Sequence, residues 1–265
     1  MMSSEELAKK IKLRAWNMGY EAKASHMSGN FSMADIIAVL YYDCINISED
    51  DEIRDRVVLS KGHCCAVMYA LLAEMGYFPK EELKTFGRNG SRLACHISYK
   101  VPGVEWSTGS LGHGISVASG IALNGKLNNK SYHVYTICGD GECDEGSVWE
   151  TAMFAAHHKL DNFTVIIDAN NMQAMGNIED ILKLEPLADK WQAFGWDVLE
   201  VDGHDHKAIK EAVRHQSKKM PKVIVAHTIK GKDVSFMENN LWWHYQVPFG
   251  EYYQRAIDEI KGNLI

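Results

Sequence analysis

Apolar and polar positions along this chain alternate between a helical rhythm and short continuous apolar runs. Near the start, Leu7, Ile11, Leu13 and Met18 are among the apolar positions of a long helix capped by Ser3 or Ser4 and ending near Ser25. Ser32-Met33-Ala34-Asp35 has the form of a capping box and predicts a second helix through Leu40 and Tyr41. Residues 57–59 read as a strand and 65–75 as a helix. A Gly-rich stretch containing Pro102, with little periodicity, follows from about 87 to 112. Beyond it the rhythm is cleaner: helix 114–127, strand 133–138, helix 147–158, strand 163–168, helix 187–194, strand 198–201, helix 207–218, strand 223–226 and helix 252–260.

Short continuous apolar strands separated by helices imply a parallel sheet covered on both faces. The fold expected is α/β, a doubly wound parallel sheet with right-handed crossovers. With 265 residues and no internal repeat, one domain over 1–265 is expected, with a C-terminal extension from about 235.

The net charge of −7 argues against a nucleic-acid or acidic-membrane partner, and Lys9-Lys10 and Lys218-Lys219 are isolated basic pairs. The start of the chain is charged and helical rather than an apolar signal, and no run nears the roughly 20 apolar residues that span a bilayer. Six cysteines without repeated spacing point to free thiols in a reducing, cytoplasmic setting. Adjacent Cys64 and Cys65 lack zinc-ligand spacing and are expected to be buried thiols.

In open parallel sheets, ligands bind beyond the carboxyl ends of the strands. Asp140 follows one predicted strand and Asn170 the next, with a single crossover helix between them, so the two strands should be neighbours about 4.8 Å apart. Both side chains could then reach one magnesium ion, which takes oxygen ligands at about 2.0–2.1 Å. Gly139 and Gly141 leave room for an anion, and a helix opening just afterwards would offer unpaired N–H groups. Alone, Gly-Asp-Gly is also an ordinary strand-to-helix turn; its pairing with Asn170-Asn171 favours a magnesium-diphosphate site. No G-x-x-x-x-G-K-[ST] loop occurs, and Gly112-His113-Gly114 lacks the third glycine of a dinucleotide fingerprint. His26, His63, His96 and His244 lie in or beside loop-like or aromatic segments, and periodicity alone does not bring them together.

Gly139-Asp140-Gly141 through Asn170-Asn171 resembles the thiamine-diphosphate signature. Asp55-Arg56-Val57-Val58-Leu59-Ser60-Lys61-Gly62-His63, Thr108-Gly109-Ser110-Leu111-Gly112 and Glu145-Gly146 narrow the resemblance to the transketolase family, over nearly the whole chain from about Ser25 to Trp243 and beyond. The resemblance implies the thiamine-diphosphate-binding fold and transfer of a two-carbon ketol unit from a ketose to an aldose. It implies thiamine diphosphate with Mg2+ (or Ca2+/Mn2+) as cofactors. Asp140, Asn170 and the Met172 carbonyl would bind the ion. Gly141, His63 and His244 would contact the diphosphate, and the backbone of Gly109, Ser110 and Leu111 the aminopyrimidine side. His26, His63, His96 and His244 would polarise the ketose carbonyl and move hydroxyl protons. Glu145 would support a glutamate of a partner chain.

Conventional transketolases are much longer, so the resemblance implies a second subunit carrying the pyrimidine-binding and C-terminal domains, with two copies of each chain. Three departures from the family pattern are expected to border the substrate channel: His113 in place of glutamine, Ser28-Gly29-Asn30 after His26, and Cys95-His96-Ile97 in place of Gly-His-Pro. An unusual donor, such as a branched ketose phosphate or a sulfonated ketose, would fit them, as would neutral drift. Rival readings are a 2-oxoacid dehydrogenase component, a deoxyxylulose-phosphate synthase, or a non-catalytic regulatory subunit that keeps a cofactor shell.

Overall fold

The computed structural model describes residues 2–262; Met1 and 263–265, which the expected domain also includes, lie outside the described residues. The first helix, α1 (Ser4–Ala22), opens with a complete capping box. Ser3 Oγ accepts from Glu6 N at 3.2 Å, and Glu6 returns a carboxylate oxygen to Ser3 N at 3.0 Å. These bonds satisfy N–H groups that a helix start leaves without partners.

The expected second capping box does not form. The chain runs through α2 (Met27–Ser32) and, after Met33 alone, through α3 (Ala34–Val39), which widens into a π turn over Leu40–Cys44. Met33 keeps near-helical angles, so no free helix end awaits a cap there. The Ser32 hydroxyl instead bridges Gly29 O at 3.0 Å and the buried Asp168 carboxylate at 2.6 Å.

The remaining order is β1 (Arg56–Leu59), α4 (Cys65–Glu74), α5 (His113–Leu127), β2 (Val134–Gly139), α6 (Gly146–His157), β3 (Phe163–Ala169), the short α7 (Ile178–Ile181), α8 (Leu187–Ala193), β4 (Asp197–Asp202), α9 (His206–Arg214), β5 (Lys222–His227) and α10 (Gly250–Lys261). Helix α9 ends at Arg214 rather than near 218. There the Lys222 ammonium, folded back from β5, donates to the carbonyls of Ala212, Val213 and His215 at 2.7–2.9 Å. A cation at the carboxyl end of a helix suits both its free carbonyls and its dipole.

All strands are parallel, in the order β1-β2-β3-β5-β4. Successive strand residues point to opposite faces, and two separate apolar cores result. Tyr135, Ile137, Ile166 and Ile224 pack under α1, α3, α4 and α9, whereas Val134, Val165, Ile167 and Val223 pack under α5, α6 and α8. Burying each Val or Ile contributes about 1.5–3 kcal/mol relative to exposure. Helices therefore cover both faces, as the continuous apolar strands predict. Among the described residues no helix is long and apolar enough to cross a membrane.

Candidate active site at the carboxyl edge of the sheet

Four of the five strands send a polar residue into one cavity of about 260 Å³. Lys61 and His63 follow β1, Asp140 follows β2, Asn170 follows β3 and Lys230 follows β5. Strands β2 and β3 are paired with Gly139 opposite Asp168, which sets Asp140 and Asn170 side by side. This is the neighbour relation expected of them.

Under the cavity lies a fully buried ion pair, Lys61 with Asp168. Burial alone would lower the Lys61 pKa and raise that of Asp168, but their mutual attraction prevails and shifts both the other way. Asp168 also accepts from the Ser32 and Thr228 hydroxyls, so a carboxylate far from water keeps enough donors to stay charged.

Asp140 is 3% exposed and differently placed. Its two oxygens accept from Gly141 N at 2.8 Å and Asn171 N at 2.5 Å. Burial, with the nearby Asp168 charge, pushes its pKa up to about 7. A buried carboxylate raised in this way is one that a cation would restore to its charged form. Asn170 Oδ1 accepts from Met172 N at 3.2 Å, and Met172 O receives the Lys230 ammonium at 3.1 Å. Among the described residues, no group of three or more His, Cys, Asp or Glu could hold a metal. One carboxylate, one amide oxygen and one carbonyl form a hard oxygen set of the kind magnesium prefers, and such a set contains only one of those residue types. The residues present therefore fit a divalent ion.

The helix expected over 147–158 is α6, Gly146–His157, and it does not follow Gly141 directly. A 3-10 turn over Gly141–Asp144 comes first and α6 starts at Gly146, because Asp140 takes the Gly141 N–H and Glu142 turns inward. Glu142 accepts from Gly112 N at 2.8 Å, from Gly139 N at 3.1 Å and from the Ser60 hydroxyl. That one carboxylate ties together three loops at the cavity edge.

All four predicted histidines line the cavity. The His26 ring lies 5.3 Å from His63, 5.3 Å from His244 and 6.3 Å from His96, centroid to centroid. His26 adopts a left-handed backbone (φ 69°) and donates its N–H to His244 O at 3.2 Å, which joins two distant segments. Burial, aided by neighbouring positive groups, lowers the pKa of His26 to about 4, that of His244 to about 3, and that of His63 well below its ordinary value. These three imidazoles are neutral near pH 7, each with one donor and one acceptor nitrogen. Among the described residues, the buried Nδ1 of His244 has no hydrogen-bond partner, which is unusual for a buried polar atom.

Gly109, Leu111, Gly141 and Met172 line the same cavity, whereas Ser110 and Glu145 are exposed and do not. Sequence reasoning missed Lys230, Gln173 and Tyr245 as lining residues, and Lys61 appeared only as a variable position within a motif. A lysine two or three residues beyond a buried strand was the available signal for Lys61 and Lys230. Of the three departures expected to border the channel, Cys95 and His113 are exposed and do not line it. Of Ser28-Gly29-Asn30, Gly29 lines the cavity, whereas Ser28 and Asn30 are buried and structural: Ser28 Oγ donates to Trp243 O at 3.2 Å, and Asn30 Nδ2 to His26 O at 2.8 Å.

Fold and site together define a class: an α/β domain of the thiamine-diphosphate-binding type, with four imidazoles gathered beside Asp140 and Asn170. The family described as "Transketolase, thiamine diphosphate binding domain" matches residues 3–251, and the chain belongs to it. It is 40% identical over 262 residues to an apulose-4-phosphate transketolase subunit of Phocaeicola vulgatus, covering 97% of this chain and 93% of that one. It is 42% identical over 244 residues to a 6-deoxy-6-sulfo-D-fructose transketolase subunit of Clostridium sp. (strain MSTE9), covering 89% and 88%. Its structure superposes on transketolase from Campylobacter jejuni with a TM-score of 0.91 at 30% identity, covering 98% of this chain and 42% of that one. The chain thus spans about two-fifths of the length of that solved transketolase.

Proposed function

We propose that this chain is the diphosphate- and metal-binding subunit of a split transketolase. It acts with a second chain that supplies the pyrimidine-binding and C-terminal domains, in a cytoplasmic assembly of two copies of each. The observation that carries this reading is the convergence of His26, His63, His96 and His244 over Asp140 and Asn170 at one sheet edge. Two relatives named as transketolase subunits, matched over most of their length, support the division into chains.

When bound, thiamine diphosphate supplies the carbon nucleophile for cleaving and re-forming the ketose carbon–carbon bond. Asp140, Asn170 and the Met172 carbonyl hold its divalent ion, Mg2+ (or Ca2+/Mn2+). Gly141, His63 and His244 contact the diphosphate, with Lys61 and Lys230 adding positive charge from below. The backbone of Gly109, Ser110 and Leu111 faces the aminopyrimidine side. The imidazoles of His26, His63, His96 and His244 donate to the ketose carbonyl and exchange protons with its hydroxyls. Such general acid–base groups typically contribute about 10²–10⁴-fold each. Glu145, exposed at the start of α6, faces the partner chain.

The donor is a ketose with a terminal anion. The two relatives named for apulose-4-phosphate and for 6-deoxy-6-sulfo-D-fructose support this. Tagging the chain in its native cells, isolating it, and identifying by mass spectrometry what co-purifies in equal amount tests the reading. A chain resembling the remaining transketolase domains, with thiamine diphosphate bound, is expected; recovery of this chain alone removes the two-subunit proposal. His26→Ala in the complex should lower turnover by about 10²–10⁴-fold, and unchanged turnover would point to a non-catalytic subunit. Rates with fructose 6-phosphate and its sulfonated analogue then separate the donors, and equal or phosphate-favouring rates exclude a sulfonate specialist.

A further inference from the structure

A buried ion cluster lies behind the cavity and has no part in the site described above. Lys12 of α1, fully buried, reaches Asp35 of α3 at 3.1 Å and Asp233 at 2.6 Å. Asp35 also meets His204 Nδ1 at 2.7 Å and His206 Nε2 at 3.3 Å. His204 makes one more bond: its Nε2 accepts from Ile229 N at 2.8 Å. A backbone N–H only donates, so Nε2 is the bare nitrogen and the ring proton sits on Nδ1, facing Asp35. Asp35 thereby selects the tautomer and orientation in which His204 can hold Ile229.

Ile229 stands between two residues of the active-site edge. Before it, the Thr228 hydroxyl donates to Asp168; after it, Lys230 enters the cavity and donates to Met172 O at 3.1 Å. Strand β5 ends at His227, so ladder pairing no longer fixes this stretch. Its other backbone anchors are Thr228 N to Ala169 O at 3.0 Å, Lys232 N to Ile229 O at 3.1 Å, Asn239 N to Lys230 O at 2.9 Å and Gly231 N to Ser28 O at 2.9 Å. The bond from Ile229 to His204 is the anchor on the N-terminal side of Lys230 that a side chain supplies.

We propose that His204, oriented by Asp35, is a positioning residue that sets Lys230 in the cavity and through it tunes binding of the cofactor diphosphate. The proposal rests on the cofactor site assigned above. Asn in place of His204 reproduces the Nδ1 contact to Asp35 but offers nothing to Ile229, whereas Gln offers an acceptor near the position of Nε2. Binding of thiamine diphosphate with magnesium is measured by calorimetry on the assembly purified through a tag on this chain, with melting temperatures recorded in parallel. H204N and H204A should weaken the Kd about tenfold and H204Q less than about twofold, the scale of one lost hydrogen bond. In a Lys230→Met background the loss caused by H204N should disappear, since the two residues act in series.

An unchanged Kd for H204N with a lowered melting temperature would reduce His204 to a fold-stabilising role and overturn the proposal. So would H204Q binding as weakly as H204N, or the same H204N loss persisting without Lys230. Where H204A does not fold, the Asn and Gln pair decides. Failure of the parent assembly to bind the cofactor is visible before any variant is made; it would remove the cofactor site itself, and this inference with it.

Discussion

Asp168 accepts from Lys61, Ser32 and Thr228 at a position with no exposure, so its charge depends on partners brought by three other segments. Lys61→Met removes the one cation among them and leaves a buried carboxylate uncompensated. The expected cost is about 3–5 kcal/mol in chemical denaturation, and a loss below about 1 kcal/mol would mean the pair behaves as if solvated. The histidines set a pH dependence of the opposite kind. His26, His63 and His244 have folded pKa values below the ordinary 6.5, so the unfolded chain takes up protons that the folded chain refuses. Their contribution is fully present above about pH 6.5 and is lost as pH falls toward about 4 and 3. Without cofactor, the melting temperature should therefore drop between pH 7.5 and 5.0. A variant carrying His26→Gln and His244→Gln should drop less, and an identical slope would count against this account. At this scale the histidines were legible as loop residues, whereas the role of Lys61 was not, because its partner lies 107 positions away.

The elements around the site are held by close backbone approach as much as by side chains. A Cβ on Gly62 would lie 2.5 Å from the carbonyl oxygen of Thr108, a backbone atom that cannot swing aside. Gly62→Ala should displace the turn Gly62–Cys64 that carries His63, costing about 1–3 kcal/mol and lowering kcat. Thermal melts and steady-state kinetics on the assembled enzyme check both, and a variant with parental values would show that the loop yields. Glu142→Gln should cost about 1–3 kcal/mol, since one acceptor oxygen is lost from a carboxylate serving three donors. Most element positions were readable from periodicity, and the exceptions share a cause. Ser32 was drawn from capping by Asp168, and α9 stops early where Lys222 takes its last carbonyls. Both are contacts from distant segments overriding a local pattern.

At the scale of the whole molecule, the segment after β5 folds back over α1 and α2. Trp243 is 1% exposed and packs against Trp16 and Phe236, with ring centroids at 6.0 and 4.9 Å, and His244 follows it directly into the cavity. Trp243→Ala should cost about 3–5 kcal/mol for a large aromatic removed from a core. Because His26 N is bonded to His244 O, the same change should disturb two histidines together. Kinetics of W243A beside W243F would test this: a Phe variant that restores activity with stability supports positioning through packing. Equal activity of W243A and the parent would dissociate the cluster from the site.

The amino-acid sequence by itself determined the helices and strands, the burial of the sheet on both faces, and the adjacency of Asp140 and Asn170. Each of these rests on relations within a few residues or across a single crossover, where periodicity and chain geometry leave little choice. Only the tertiary structure decided the strand order β1-β2-β3-β5-β4, the meeting of His26 with His63, His96 and His244, and the pairing of Lys61 with Asp168. Those contacts join segments far apart in the chain, and what selects them is the joint burial of two apolar cores and the pairing of charges removed from water. Neither leaves a periodic signature along the sequence.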